Sequence, residues 1–303
     1  MDTNTKGFSY IAQLGILLGL VGAGLVLASF ISAFILSSYT GVPLEKISTI
    51  DKTNPNYISA LKIVQVIATC ISFLLPAWIF SKLCYKKPSV FLGTGHKLSI
   101  NQLGLTFFIV IGCIFSLGAL VYVNKLIPLP ASWETSFEKM DQLYNTQVMN
   151  LAKMKTTTDL LISLFVMAVL PALTEEFIFR GCLQNILIGL TKKAWIGIIL
   201  TSILFSLIHL SWSGFLSRAF LGMVLGLLYY YSKSIWLSII GHSLFNGIQI
   251  TLLYFYASFM DKYDGNIESH VSLVNWIGLA ATISLLYILY KQYRHKRSTT
   301  SLI

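Results

Sequence analysis

A chain of 303 residues that is 55% hydrophobic and only 11% charged, with mean hydropathy +0.72, is not an ordinary soluble domain, in which about 25% of residues carry charge. The net charge of +10 reads as a membrane-topology signal, not as a nucleic-acid surface, because the cations sit in short loops between apolar runs. Cys70, Cys84, Cys113 and Cys182 lie in or at the ends of those runs without metal-ligand spacing, which argues against a disulfide framework or a thiolate zinc site.

Charge-free runs recur along the chain, most of them near the ~20 residues an α-helix needs to cross the bilayer core. They predict an all-α polytopic membrane protein of about eight transmembrane helices, at about 8–37, 60–83, 102–124, 158–190, 195–212, 214–231, 235–258 and 272–290. The first run is too long for a signal-peptide core and is read as a retained helix. Gly15-xxx-Gly19 and Gly222-xxx-Gly226 offer close helix approach, and Trp78, Trp195, Trp212 and Trp236 fall near span ends as interfacial anchors.

The polar insert 125–157 carries Trp133, Phe137, Met140, Leu143 and Val148 among charges, the pattern of an interfacial amphipathic helix on the outer side, although an irregular loop is also compatible. The chain divides into 1–157, with three spans and this insert; a helical core over 158–258; and 259–303, with the last span and a basic tail.

An even number of spans puts both termini on one side. That side carries Lys6, Lys82, Lys86, Lys87, Lys97, Lys192, Lys193, Lys233, Lys291, Arg294, Lys296 and Arg297 against a single acid, Asp2. Positive residues gather in cytoplasmic loops, so the expectation is a multi-pass protein of the cell membrane with both termini cytoplasmic. The tail from Lys291 to Arg297 is expected to contact anionic membrane lipids rather than nucleic acid.

Chemistry concentrates in Pro171-Ala-Leu-Thr-Glu175-Glu176-Phe-Ile-Phe-Arg180. A carboxylate at membrane depth is costly and is a functional hypothesis by default. Glu176 and Arg180 are four apart on one helix face and suit an ion pair. Glu175, rotated by about 100°, is left without a local partner. Pro171 removes an N–H and orphans the carbonyl of Met167, a kink that either borders a polar cavity or is merely tolerated.

Phe205 and His209 share one face of a second helix, and His242 and Asn246 share one face of a third, where they could present an N–H pair to a single oxygen. A lone histidine in an apolar helix is commonly a satisfied core residue. Two of them with an in-register Asn and an unpaired Glu favour a site. If Thr191–Lys193 is a hairpin turn, Glu175 and His209 lie level, about 25 Å from it, whereas His242 is only about 13 Å from its own turn.

In that order, Glu-Glu-xxx-Arg, Phe-xxx-His and His-xxx-Asn resemble the CAAX protease and bacteriocin-processing family of intramembrane endopeptidases, with the likeness covering about 160–250. The resemblance implies hydrolysis of a peptide bond in a membrane-associated CAAX-like or leader-type substrate, in a cavity opening towards the cytoplasm. Glu175 and His209 would activate a water, His242 and Asn246 would stabilise the oxyanion, and Glu176, Arg180 and Phe205 would support them. The family has also been described as zinc metalloproteases, for which Glu175, His209 and His242 could supply ligands, but the metal-free reading, without cofactor, is favoured. A non-catalytic self-immunity or scaffold protein is a third possibility. A transporter is disfavoured because no matching motif recurs in the first 150 residues.

Overall fold

The computed structural model describes residues 4–51, 55–260 and 272–300. Among the described residues nine principal helices carry the fold: α1 Tyr10–Thr40, α2 Asn56–Cys84, α3 Ile100–Lys125, α4 Ala131–Leu151, α5 Thr157–Thr191, α6 Ala194–Leu207, α7 Phe215–Ser232, α8 Ile235–Met260 and α9 Leu273–Thr300. Among the described residues, seven of these are long and apolar enough to cross a membrane, and α6 is a shorter apolar helix. The chain is an all-α polytopic membrane protein.

Its surface explains the composition. Ile11, Phe30, Ile100 and Trp195 are strongly exposed, which water would oppose but hydrocarbon accepts. Helices cohere in such a medium by close packing and interhelical hydrogen bonds. A Cβ added at Gly24 would stand 2.6 Å from the Ile71 carbonyl oxygen, so α1 seats tightly on α2 there. Among the described residues nothing lies within 4 Å of a Cβ added at Gly15 or Gly19, so the expected close approach there is not made. Gly222 and Gly226 do pack closely, against Ser202 of α6 and Gln184 of α5.

The two ends of the bundle differ in charge. At one end the N-terminal segment pairs with the end of α2 (Lys6 N to Cys84 O, 2.8 Å), Lys192 stands 4.8 Å over the Tyr10 ring, and Tyr231 of α7 meets Tyr293 of α9. Both described chain ends and the basic loops therefore share this side. Helix α9 continues through the basic tail, although the side chains of Arg294, Lys296 and Arg297 lie outside the described residues.

At the opposite end the polar insert forms a helix, α4, as expected. It packs on the turn 208–214. That turn differs from the predicted span 195–212: α6 stops at Leu207, about 21 Å long at ~1.5 Å per residue, short of the ~30 Å core. The apolar run continues to Trp212, but polar side chains take over the backbone groups a helix would satisfy. Asn124 donates to the Trp212 carbonyl (2.9 Å) and accepts from Leu216 N (3.1 Å). The Asp141 carboxylate of α4 accepts from Ser213 N at 3.1 Å, and Ser206 donates to the Phe215 carbonyl at 2.7 Å. Irregular backbone at membrane depth is tolerated where protein satisfies it in this way. Trp212 stacks on Phe137 and Phe215.

Candidate active site

The Glu175-Glu176 pair sits in a short α-helical stretch of α5 between two π-helical segments, Phe165–Val169 and Phe177–Gln184. Such insertions recur at functional sites and change which residues share a face. Glu176 and Arg180 are fully buried and joined at 2.6 Å, the pair the spacing predicts. Arg180 also donates to the Gly222 carbonyl at 3.2 Å and lies 4.6 Å over the Phe205 ring. A buried guanidinium thus ties α5 to α6 and α7 with its charge compensated.

The same carboxylate organises the third helix. Ser238 donates its hydroxyl to Glu176 Oε2, and His242 Nδ1 lies 2.9 Å from Glu176 Oε1. An ionised carboxylate only accepts, so Nδ1 carries the proton and Nε2 of the neutral ring bears the lone pair. That Nε2 faces Glu175 Oε2 across 4.0 Å. Glu175 is 13% exposed, against 0% for Glu176, and lines a cavity instead of joining the buried network. The two neighbours point apart, as 100° per residue requires.

His209 lies just beyond the end of α6, its Nδ1 2.8 Å from the Phe205 carbonyl oxygen. A carbonyl accepts, so this ring too keeps Nε2 free. Phe205 stands edge-on between the imidazoles, 5.1 Å from His209 and 5.7 Å from His242 by ring centres, and spaces them rigidly. Asn246 donates to the Met167 carbonyl at 3.4 Å, the acceptor that Pro171 was expected to orphan. One N–H of that amide is therefore engaged, and the other is not needed there.

Glu175, His209, His242, Asn246 and Phe205 all border a cavity of about 850 Å³. The structure brings the expected residues together, but it pairs them differently. Glu175 meets His242, the residue with the least promising depth, while His209 makes no contact with a Glu175 oxygen within 4.0 Å. The π-helical turn after Glu176 advances less per residue than an α-turn and shortens the climb from the Thr191–Lys193 loop, which reduces the mismatch in depth. The cavity also contradicts one expectation. Its walls include Met140, Tyr144 and Gln147 of α4, so it lies in the half opposite the chain ends. Cytoplasmic termini and a cytoplasmic mouth cannot both hold.

Sequence reasoning passed over Ser238, Tyr144 and Arg218. Ser238 was findable, since Ser238, His242 and Asn246 recur every four residues along one face. Glu175, His209 and His242 are the side chains that would hold a zinc ion; among the described residues no group of three His, Cys, Asp or Glu side chains is disposed to hold one ion.

No curated protein and no solved structure matches the chain. A family model does, the one described as Type II CAAX prenyl endopeptidase Rce1-like, over residues 157–248. That interval runs from the start of α5 into α8 and contains Glu175, Glu176, Arg180, Phe205, His209, Ser238, His242 and Asn246. Over residues 157–248 the chain carries an Rce1-like domain, matching the CAAX protease and bacteriocin-processing family.

Proposed function

We propose that this protein is a metal-free intramembrane endopeptidase in which Glu175 and His242 hold the attacking water. The observation that carries the reading is the 4.0 Å gap between Glu175 Oε2 and His242 Nε2, at the wall of a cavity within the bundle. It is too long for a direct hydrogen bond, and one water hydrogen-bonded to both fits the span. Both atoms are acceptors, so both water hydrogens are held and the oxygen lone pair is free to face a scissile carbonyl.

Glu175 takes a proton as the water oxygen bonds to the carbonyl carbon. It then returns that proton to the departing nitrogen, which leaves a carboxylic acid and an amine. The spare N–H of Asn246, joined by Nε2–H of His209 when that ring is protonated, serves the oxyanion. Glu176 keeps His242 in the required tautomer, and Arg180 keeps Glu176 ionised. The roles of the two histidines are thus exchanged relative to the sequence expectation.

The substrate is a membrane-associated peptide or protein of CAAX-like or leader type. We place the protein in the cell membrane with both termini cytoplasmic, from the basic residues at that end. The cavity then opens towards the outer half of the bilayer. Purified protein in lipid nanodiscs, incubated with prenylated CAAX peptides and leader-type membrane peptides, should generate new peptide ends readable by mass spectrometry. Glu175→Gln should not. Absence of new ends from every peptide would count against hydrolysis.

A further inference from the structure

Resting on that reading of the cavity, we propose that Arg218 is its specificity-determining residue, receiving the free C-terminal carboxylate of the peptide substrate. Arg218 lies in the first turn of α7 and lines the cavity with His209 and Glu175. A cation in a first helical turn opposes the helix dipole and adds to the positive end, an arrangement that attracts an anion instead of stabilising the helix.

The guanidinium is held but not neutralised. Nη2 donates to the Ser211 carbonyl, the Tyr144 ring lies 5.3 Å from the guanidinium, and Nε is buried with no partner. Asp141 is the nearby acid, yet its carboxylate accepts from Ser213 N. No carboxylate among the described residues lies within 4.0 Å of Arg218. By contrast Arg180, which is fully buried, has a dedicated one.

Gly214 makes the room. A Cβ there would fall 2.3 Å from Arg218 Nη1, so the residue four positions earlier must lack a side chain for the guanidinium to lie where it does. The cavity therefore has an anionic end at Glu175 and a cationic end at Arg218. A peptide carrying a terminal carboxylate is repelled from the first and paired at the second, where a planar fork accepts it bidentately. This fixes the direction of the chain and the distance of the cleaved bond from its end.

The test measures binding without requiring cleavage. Randomised apolar octapeptides in three forms, with a free C-terminus, with a C-terminal carboxamide, and with a carboxamide plus one internal Glu, are captured on immobilised Glu175→Gln protein in nanodiscs. Free-acid peptides should be captured about tenfold or more over both carboxamide forms, the scale of a hydrogen bond to a charged group. Arg218→Gln should erase that preference, Arg218→Lys should keep part of it, and Gly214→Ala should weaken it with the charge intact. Equal capture of acid and carboxamide, a preference that survives Arg218→Gln, or no capture at all would overturn the proposal. Capture of the internal-Glu form as strongly as the free acid would overturn the C-terminal assignment. If the preference stands while the wild type cleaves nothing, only the endopeptidase reading fails.

Discussion

Two adjacent carboxylates should fail in opposite ways. Glu176 is fully buried and accepts from Arg180 at 2.6 Å, from Ser238, and from His242 Nδ1 at 2.9 Å. Glu176→Gln keeps the shape but removes the charge, leaving the Arg180 guanidinium buried beside the Gly222 carbonyl (3.2 Å) and the Phe205 ring without its paired carboxylate. It also turns an amide N–H towards groups that donate. Removing one partner of a buried ion pair costs about 3–5 kcal/mol. Glu175→Gln is the matched control. Glu175 faces the cavity and stands 4.0 Å from His242 without a direct hydrogen bond to it, so its loss should alter stability by less than about 1 kcal/mol while removing a general base worth about 10²–10⁴ in rate. Thermal unfolding of both variants in one detergent, followed by intrinsic fluorescence, separates the cases. Glu176→Gln should melt well below wild type and Glu175→Gln close to it. If Glu176→Gln melts with wild type, the buried network does not hold the fold as described.

Three further outcomes follow from the geometry. Ser238→Ala removes one donor to an ionised carboxylate and should cost about 1.5–3 kcal/mol in unfolding experiments. It should also lower kcat more than it raises KM, because His242 loses a constraint and the cavity does not change. Asn124→Ala releases both backbone groups it holds, the Trp212 carbonyl and Leu216 N. Amide exchange over 208–216 should then accelerate by about tenfold or more, matching a loss of at least 1.4 kcal/mol of local stability. Gly24→Ala drives a Cβ to 2.6 Å from the Ile71 oxygen and should lower the melting temperature, whereas Gly15→Ala, which meets nothing, should leave it unchanged.

What the sequence made legible was local or compositional. Apolar runs mark spans because hydrocarbon imposes helix length directly, and α4 could be read from its mixed apolar and charged surface. The Glu176–Arg180 pair follows from spacing alone, and the orphaned Met167 carbonyl from the chemistry of Pro171. What remained hidden depends on contacts between distant segments. The end of α6 at Leu207 is decided by Asn124 and Asp141, far away in sequence, and no feature of the run up to Trp212 announces it. The partner of Glu175 depends on relative helix depth, and the π-helical segments flanking the glutamates reset that depth. For the same reason Gly15-xxx-Gly19 misled, since spacing shows where helices can approach and not which face meets a neighbour. Arg218 carries no local signal in the sequence, because what marks it is its setting beside Gly214 and Tyr144.

The pairing of Glu175 with His242 is open to a double-mutant cycle on cleavage rate, run in chelator with purified protein in nanodiscs. Two groups that hold one water act as a unit, so Glu175→Gln with His242→Ala should be no slower than the slower single variant. Losses that multiply, coupling of Glu175 to His209→Ala instead, or activity abolished by the chelator and restored by zinc would contradict the account.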